Sequence, residues 1–129
     1  MADHAHPVNA EAVSHASERA PDLATAEALA EVLGLMAEPT RLRVLFALDE
    51  VEELCVGDLV MSLGASPDAV GYALKVLRSA GLVQRRREGR MAFYRLSGGF
   101  PEPFRQHCML RLLELRQGRT PQPPDDGLD

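Results

Sequence analysis

The chain has 129 residues, of which 46% are hydrophobic and 26% charged, so it has room for one domain with a modest core. Aromatic residues make up only 5% and tryptophan is absent, which favours packed helices over a β-sandwich. No apolar run approaches the roughly 18 residues of a membrane span, and the N-terminus lacks the pattern of a signal peptide. We therefore expect a cytoplasmic protein that makes no membrane contact.

The formal net charge of −5 disfavours binding to nucleic acid at first sight, but the charges are unevenly distributed. From Ser66 to Arg95, seven basic residues stand against two acidic ones, a local net charge of +5. From Met1 to Glu38, seven acidic residues stand against one basic residue. This asymmetry predicts one basic face on an acidic molecule.

Hydrophobic periodicity and helix-breaking residues divide the chain into elements. Residues 1–21 show little periodicity and are expected to form a mobile arm, with a short helical turn around residues 10–17. Residues 22–117 are expected to form one domain, and residues 118–129, rich in Pro and Asp, a disordered tail. Five helices are predicted, over residues 23–37, 39–49, 56–63, 67–80 and from 101 or 103 to 116.

A short strand or turn is expected at residues 51–54, and a hairpin at residues 82–96. Its two strands, 82–87 and 91–96, flank a tight turn at Glu88-Gly89. The third and fourth helices, joined by the turn Leu63-Gly64-Ala65, form a helix-turn-helix. The predicted fold is therefore mainly α with a small β-hairpin: a winged helix-turn-helix whose fourth helix would be the recognition helix.

Four motifs give the chain a family resemblance. They are Ala37–Arg43 (AEPTRLR), Glu53–Leu59 (ELCVGDL), Leu74–Val83 (LKVLRSAGLV), and the hairpin pair Arg86–Arg90 (RREGR) with Tyr94–Leu96 (YRL). Over about residues 25–116 the chain resembles the ArsR/SmtB family of metal-sensing repressors. The resemblance implies a homodimer, joined through the first and last helices of the domain, that leaves its operator when an inducer binds.

The motif positions imply which residues would face double-stranded operator DNA. They are Ser66, Asp68, Gly71, Tyr72 and Lys75 of the recognition helix and Arg86, Arg87 and Arg90 of the wing. The family often has Ser-x-His where this chain has Gly71-Tyr72-Ala73, so its base preference is expected to differ.

The resemblance also implies an inducer site at Cys55. In the family, the cysteine at this position often binds metal together with an N-terminal arm. The spacing of three places Cys55 and Asp58 on one side of a helical turn, and His4, His6 or His15 of the arm could complete a tetrahedral site. Such a mixed ligand set suits Zn(II), with Cd(II) or Pb(II) competing for the thiolate.

Other interpretations of these residues remain open. Cys55 can equally be a small buried hydrophobe, with Asp58 a helix-start charge and the histidines solvated. His107 and Cys108, on the last helix, could form a redox or second metal site, although the position of Cys108 on the apolar stripe favours a core or dimer-interface role. The inducer could also be thiol oxidation, with Cys55 or Cys108 as the sensor. The family's other zinc site, on the last helix, is expected to be absent, because three of its four positions (Gly98, Phe100, Arg111 and Glu114) carry no ligand.

Two further functional classes compete with a repressor. A winged helix can serve protein interaction alone, without binding DNA. An enzyme is not expected, because the sequence has no phosphate-binding loop, nucleophile elbow or HExxH pair.

Overall fold

The structure is a computed structural model, and it describes residues 6–101 and 106–118 of the chain. In chain order its elements are α1 (Ala10–Arg19), α2 (Leu23–Met36), α3 (Pro39–Glu50), β1 (Leu54–Cys55), α4 (Val56–Leu63), α5 (Pro67–Ser79), β2 (Val83–Glu88), β3 (Met91–Leu96) and α6 (Gln106–Arg116). The fold is mainly α with one small sheet, as predicted. Within the described ranges no helix is both long and apolar enough to cross a bilayer.

Helix α1 is the main difference from the predicted elements. The described residues contain six helices rather than five, because the short turn expected at residues 10–17 is a helix that continues to Arg19. The Asn9 Oδ1 atom accepts a hydrogen bond from the Ala12 amide at 2.9 Å and caps the helix. None of its residues is buried, so apolar periodicity could not reveal it. Mobility of residues 1–21 stays a prediction.

The chain divides into two compact units between Gly34 and Leu35, so α1 and most of α2 belong to the first unit. The core of the second unit is assembled from α3, α4, α5 and the sheet. The side chains with essentially no exposed surface are Val44, Leu48, Leu59, Val70, Leu74, Leu77 and Val83. Ala73 and Tyr94 are also buried in this core.

The sheet has the strand order β1-β3-β2, and both pairings are antiparallel. Strand β1 extends the predicted hairpin, with Leu54 opposite Tyr94 and Cys55 opposite Phe93. The hairpin turn is Gly89-Arg90, because Glu88 pairs with Met91 as the last residue of β2. The prediction of a turn at Glu88-Gly89 was therefore wrong by one residue. Gly89 has φ +60°, which only glycine adopts without strain.

The helix boundaries follow from capping. Glu38 caps α3, since its carboxylate accepts hydrogen bonds from the amides of Thr40 and Arg41 at 3.0 and 3.1 Å. These bonds lower the pKa of Glu38 below its usual value. Pro39 takes the first helical position, where a missing amide hydrogen costs nothing. The last helix begins at Gln106, so a start at Pro101 was wrong, while Pro103 lies outside the described residues.

Candidate functional site

Helix α5, the predicted recognition helix, buries one face and exposes the other. Its hydroxyl cap is Ser66, whose Oγ atom accepts a hydrogen bond from the Ala69 amide at 3.1 Å. Four of the five residues predicted to face DNA are exposed, and Gly71 is half-buried. The exposed four are Ser66, Asp68, Tyr72 and Lys75. The helix thus presents a continuous polar and aromatic stripe to solvent.

The turn between α4 and α5 sets the orientation of α5. Gly64 ends α4 in the left-handed conformation, with φ +60°. The Arg43 side chain of α3 donates a hydrogen bond from Nη2 to the Leu63 carbonyl at 2.5 Å, which satisfies one carbonyl of the last turn of α4. A residue distant in sequence therefore fixes the turn that leads into the recognition helix.

The wing presents the basic side chains that were predicted to face DNA. Arg86 and Arg87 of β2 and Arg90 of the hairpin turn are all exposed. Arg85, which precedes them in β2 and was not among the predicted contacts, is exposed as well. Because side chains alternate along a strand, Arg86 lies on one face of the sheet and its two neighbours on the other. The three arginines are thus not equivalent.

Arg86 is held by protein groups. Its Nε and Nη2 atoms donate to the Glu53 carboxylate at 3.3 and 2.5 Å, and its Nη1 atom donates to Glu88 at 2.6 Å. The guanidinium carbon also lies 4.7 Å from the centre of the Phe93 ring. The hydrogen bonds that Arg86 donates lower the pKa of Glu53. The bonds to Glu53, followed in importance by the bond to Glu88, raise the pKa of Arg86. We call these four residues the Arg86 clasp; sequence reasoning missed it because Glu53 lies 33 residues away.

Cys55 is buried, with 8% of its surface exposed, at the junction between β1 and α4. It is the N-cap residue of α4, yet its side chain makes no capping hydrogen bond. Asp58 lies in the first turn of α4 and is exposed. Cys55 thus immediately precedes the helical turn that contains Asp58, and the sharing of one metal ion by the two side chains stays a prediction.

The structure describes only part of the predicted ligand set. Within residues 6–101 and 106–118, no three His, Cys, Asp or Glu side chains are grouped as a metal site. His6 and His15 are exposed, and His15 lies on α1. His4 lies outside the described residues, and so do the side chains of His107 and Cys108 on α6.

Comparison with known proteins identifies the family. Residues 38–85 match the family model described as bacterial regulatory protein, arsR family. The transcriptional repressor SmtB homolog of Synechocystis is 39% identical over 90 residues, which cover 70% of this chain and 67% of that protein. The repressor SmtB of Mycobacterium tuberculosis is 33% identical, with 73% of this chain and 69% of that protein covered.

The solved structures agree. The crystal structure of the AntR antimony-specific transcriptional repressor is similar with a TM-score of 0.56 and 30% identity, covering 88% of this chain and 93% of that one. These relatives are transcriptional regulators and not enzymes. The chain therefore belongs to the ArsR/SmtB family of winged helix-turn-helix proteins, and it is a DNA-binding transcriptional repressor.

Proposed function

We propose that this repressor binds operator DNA with α5 and the β2–β3 wing, and that a metal ion at Cys55 releases it. The observation that supports DNA binding by these elements is the exposed stripe of α5 beside an arginine-rich hairpin, in a segment with a local net charge of +5. A helix of this kind fits the major groove, and Arg87 and Arg90 would contact phosphates of the backbone. The protein would act in the cytoplasm.

The repressor is proposed to be a homodimer joined through α2 and α6. Both helices expose large apolar side chains, an arrangement that a monomer would leave in contact with water. On α2 these include Leu29 and Leu33, and on α6 they are Leu110, Leu112, Leu113 and Leu115. A dimer would also present two recognition helices to two half-sites.

The proposed inducer is Zn(II), or Cd(II) or Pb(II), bound by the Cys55 thiolate and the Asp58 carboxylate. The N-terminus of α4 favours negative charge, and the Cys55 side chain makes no capping hydrogen bond there. A histidine from the arm, His4, His6 or His15, of either subunit would complete the coordination. The similarity to a repressor described as antimony-specific supports an inducer that prefers thiolate.

The position of Cys55 also offers a route for coupling. It pairs with Phe93 of the wing and directly precedes α4, the first helix of the helix-turn-helix. An ion that reorients Cys55 would therefore act on both DNA-contacting parts. A coupling of about 1–3 kcal/mol would change operator affinity about 5- to 150-fold.

A metal titration of the purified repressor on DNA tests this proposal. The probe is a fluorescent duplex selected from a randomised library by the metal-free protein, and the expected result is release by Zn(II) or Cd(II). Cys55→Ser should abolish release, Asp58→Asn should weaken it, and the matched control Cys108→Ser should retain it. Full metal-driven release in Cys55→Ser would exclude this site.

The same variants address thiol oxidation. If a mild oxidant, but no metal, releases the wild type, and Cys55→Ser or Cys108→Ser resists release, the inducer is oxidative and the metal proposal is wrong. Mass spectrometry of the thiols would report the oxidised cysteines directly.

A further inference from the structure

We propose that Arg41, at the start of α3 and outside the predicted DNA face, positions the Tyr72 ring for base contact and thereby contributes to operator sequence preference. Arg41 lies in the first turn of α3, whereas Tyr72 lies on the exposed stripe of α5. This inference rests on the proposed DNA face. It adds a residue that acts through another side chain instead of touching DNA.

The Arg41 side chain is fixed at the junction of α2 and α3. Its Nη1 atom donates a hydrogen bond to the Leu35 carbonyl in the last turn of α2 at 3.2 Å, and its Nε atom lies 3.8 Å from the Glu38 carboxylate. Only 17% of the side chain is exposed, and Nε has no hydrogen-bond partner among the described residues. Arg41 is thus anchored at one end of the helix-turn-helix core rather than extended towards solvent.

The Tyr72 ring needs such an anchor because little else packs around it. It is 62% exposed, and it borders two shallow pockets of about 280 and 450 Å³. Arg41 and Glu38 line the first, while Leu35 and Lys75 line the second. The Arg41 guanidinium carbon lies 5.9 Å from the ring centre, within the range of about 6 Å in which a cation attracts an aromatic face.

The chemistry of an exposed tyrosine suggests what it would read. In the major groove an aromatic ring makes apolar contact with the thymine methyl group, and a hydroxyl can bond to a base edge. Both contacts depend on the ring orientation, which is set by two side-chain torsions. We therefore assign to the Arg41–Tyr72 pair a preference for an A·T pair at one position of each half-site.

The test is selection of duplexes from a randomised library, followed by affinity measurement on the wild-type consensus. Tyr72→Ala should lose the preference at one position per half-site and bind the consensus at least about 5-fold more weakly. Arg41→Met, of similar length but uncharged, should weaken the preference at that same position and lower affinity about 2- to 5-fold. In the Tyr72→Phe background, which keeps the ring, Arg41→Met should still weaken the base preference at that position.

The double variant separates positioning from a structural role. In the Tyr72→Ala background, Arg41→Met should cause no further change, and affinity for a scrambled duplex should stay the same throughout. Arg41→Lys is a second variant, which keeps the positive charge but not the planar guanidinium group. It should retain part of the base preference that Arg41→Met loses.

Two results would overturn the inference. The first is a base preference of Arg41→Met that is the same as that of the wild type. The second is a loss of affinity caused by Arg41→Met that is equal for every duplex and equal in the Tyr72 and Tyr72→Ala backgrounds. A wild type that enriches no sequence would instead contradict the proposed binding to a specific operator, and the inference would fail with it.

Discussion

Arg86 and Arg87 are neighbours in β2, yet they face opposite sides of the sheet and have different surroundings. Arg86 bonds Glu53 and Glu88, so two carboxylates offset its charge, while Arg87 is exposed on the other face. A contact between Arg86 and DNA remains a prediction. Any such contact would have to compete with the ion pairs of the Arg86 clasp.

Substitution of these two arginines should therefore have different consequences for stability. Arg86→Ala removes the bonds that tie β2 to the segment before β1, and should lower the midpoint of thermal unfolding. Arg87→Ala is the matched control and should leave the midpoint unchanged. Equal midpoints for the two variants, measured by circular dichroism, would contradict a stabilising role for the clasp.

Glu38 gives a prediction about pH. Its hydrogen bonds to the Thr40 and Arg41 amides lower its pKa below the ordinary 4.5, so the stabilisation is fully present above about pH 4.5 and is lost as pH falls through the lowered value. Glu38→Gln should thus unfold at a lower temperature than the wild type at pH 7, and this gap should narrow at pH 3.5. A constant gap would show that the charge of Glu38 contributes nothing.

At the level of elements, local chemistry determined most boundaries. Helix α4 spans the predicted residues 56–63, because Gly64 supplies the left-handed residue that ends it. The β1 pairing with β3 and the bond from Arg43 to Leu63 could not be predicted, since they depend on contacts between distant segments. Helix α1 had a signal, Asn9 before a run of good helix formers, but no apolar face to support it.

Two glycines, one inside the recognition helix and one in the turn before it, should respond oppositely to substitution by alanine. Gly71 is inside α5 and a Cβ there meets nothing within 4 Å, so Gly71→Ala should stabilise the fold by about 0.5–1 kcal/mol. Gly64 has φ +60°, where an alanine costs about 1–2 kcal/mol, so Gly64→Ala should destabilise it. Urea denaturation measures both, and a shift of the same sign in the two variants would refute the argument.

At the level of the whole molecule, the exposed leucines of α2 and α6 bear on assembly. Leu112 and Leu115 are 63% and 61% exposed, and the double substitution to Glu should place like charges in the proposed interface and yield monomers. Met61→Glu is the control, because Met61 is 78% exposed on α4, outside that interface. Sedimentation velocity that finds the same assembly in both variants would count against this dimer.

The two candidate sites differ in how far the sequence alone could predict them. The exposure of Ser66, Tyr72 and Lys75 agrees with the stripe that motif positions implied, since the buried face of α5 follows from its apolar spacing. The inducer site is different. Its predicted ligands are Cys55, Asp58 and the histidines of the N-terminal arm. Whether these groups come together depends on long-range or intersubunit contacts, which a local sequence pattern does not encode.

The most direct test of the central claim is the salt dependence of DNA affinity. We expect the wild type to bind its selected duplex with a steep loss of affinity as salt rises, because bound phosphates release counterions. The triple variant Lys75→Ala, Arg87→Ala, Arg90→Ala should reduce the log–log slope by about 0.9 for each phosphate that is no longer neutralised, or about 5 for roughly six such phosphates in a dimer. An unchanged slope would show that α5 and the wing are not the DNA-binding face.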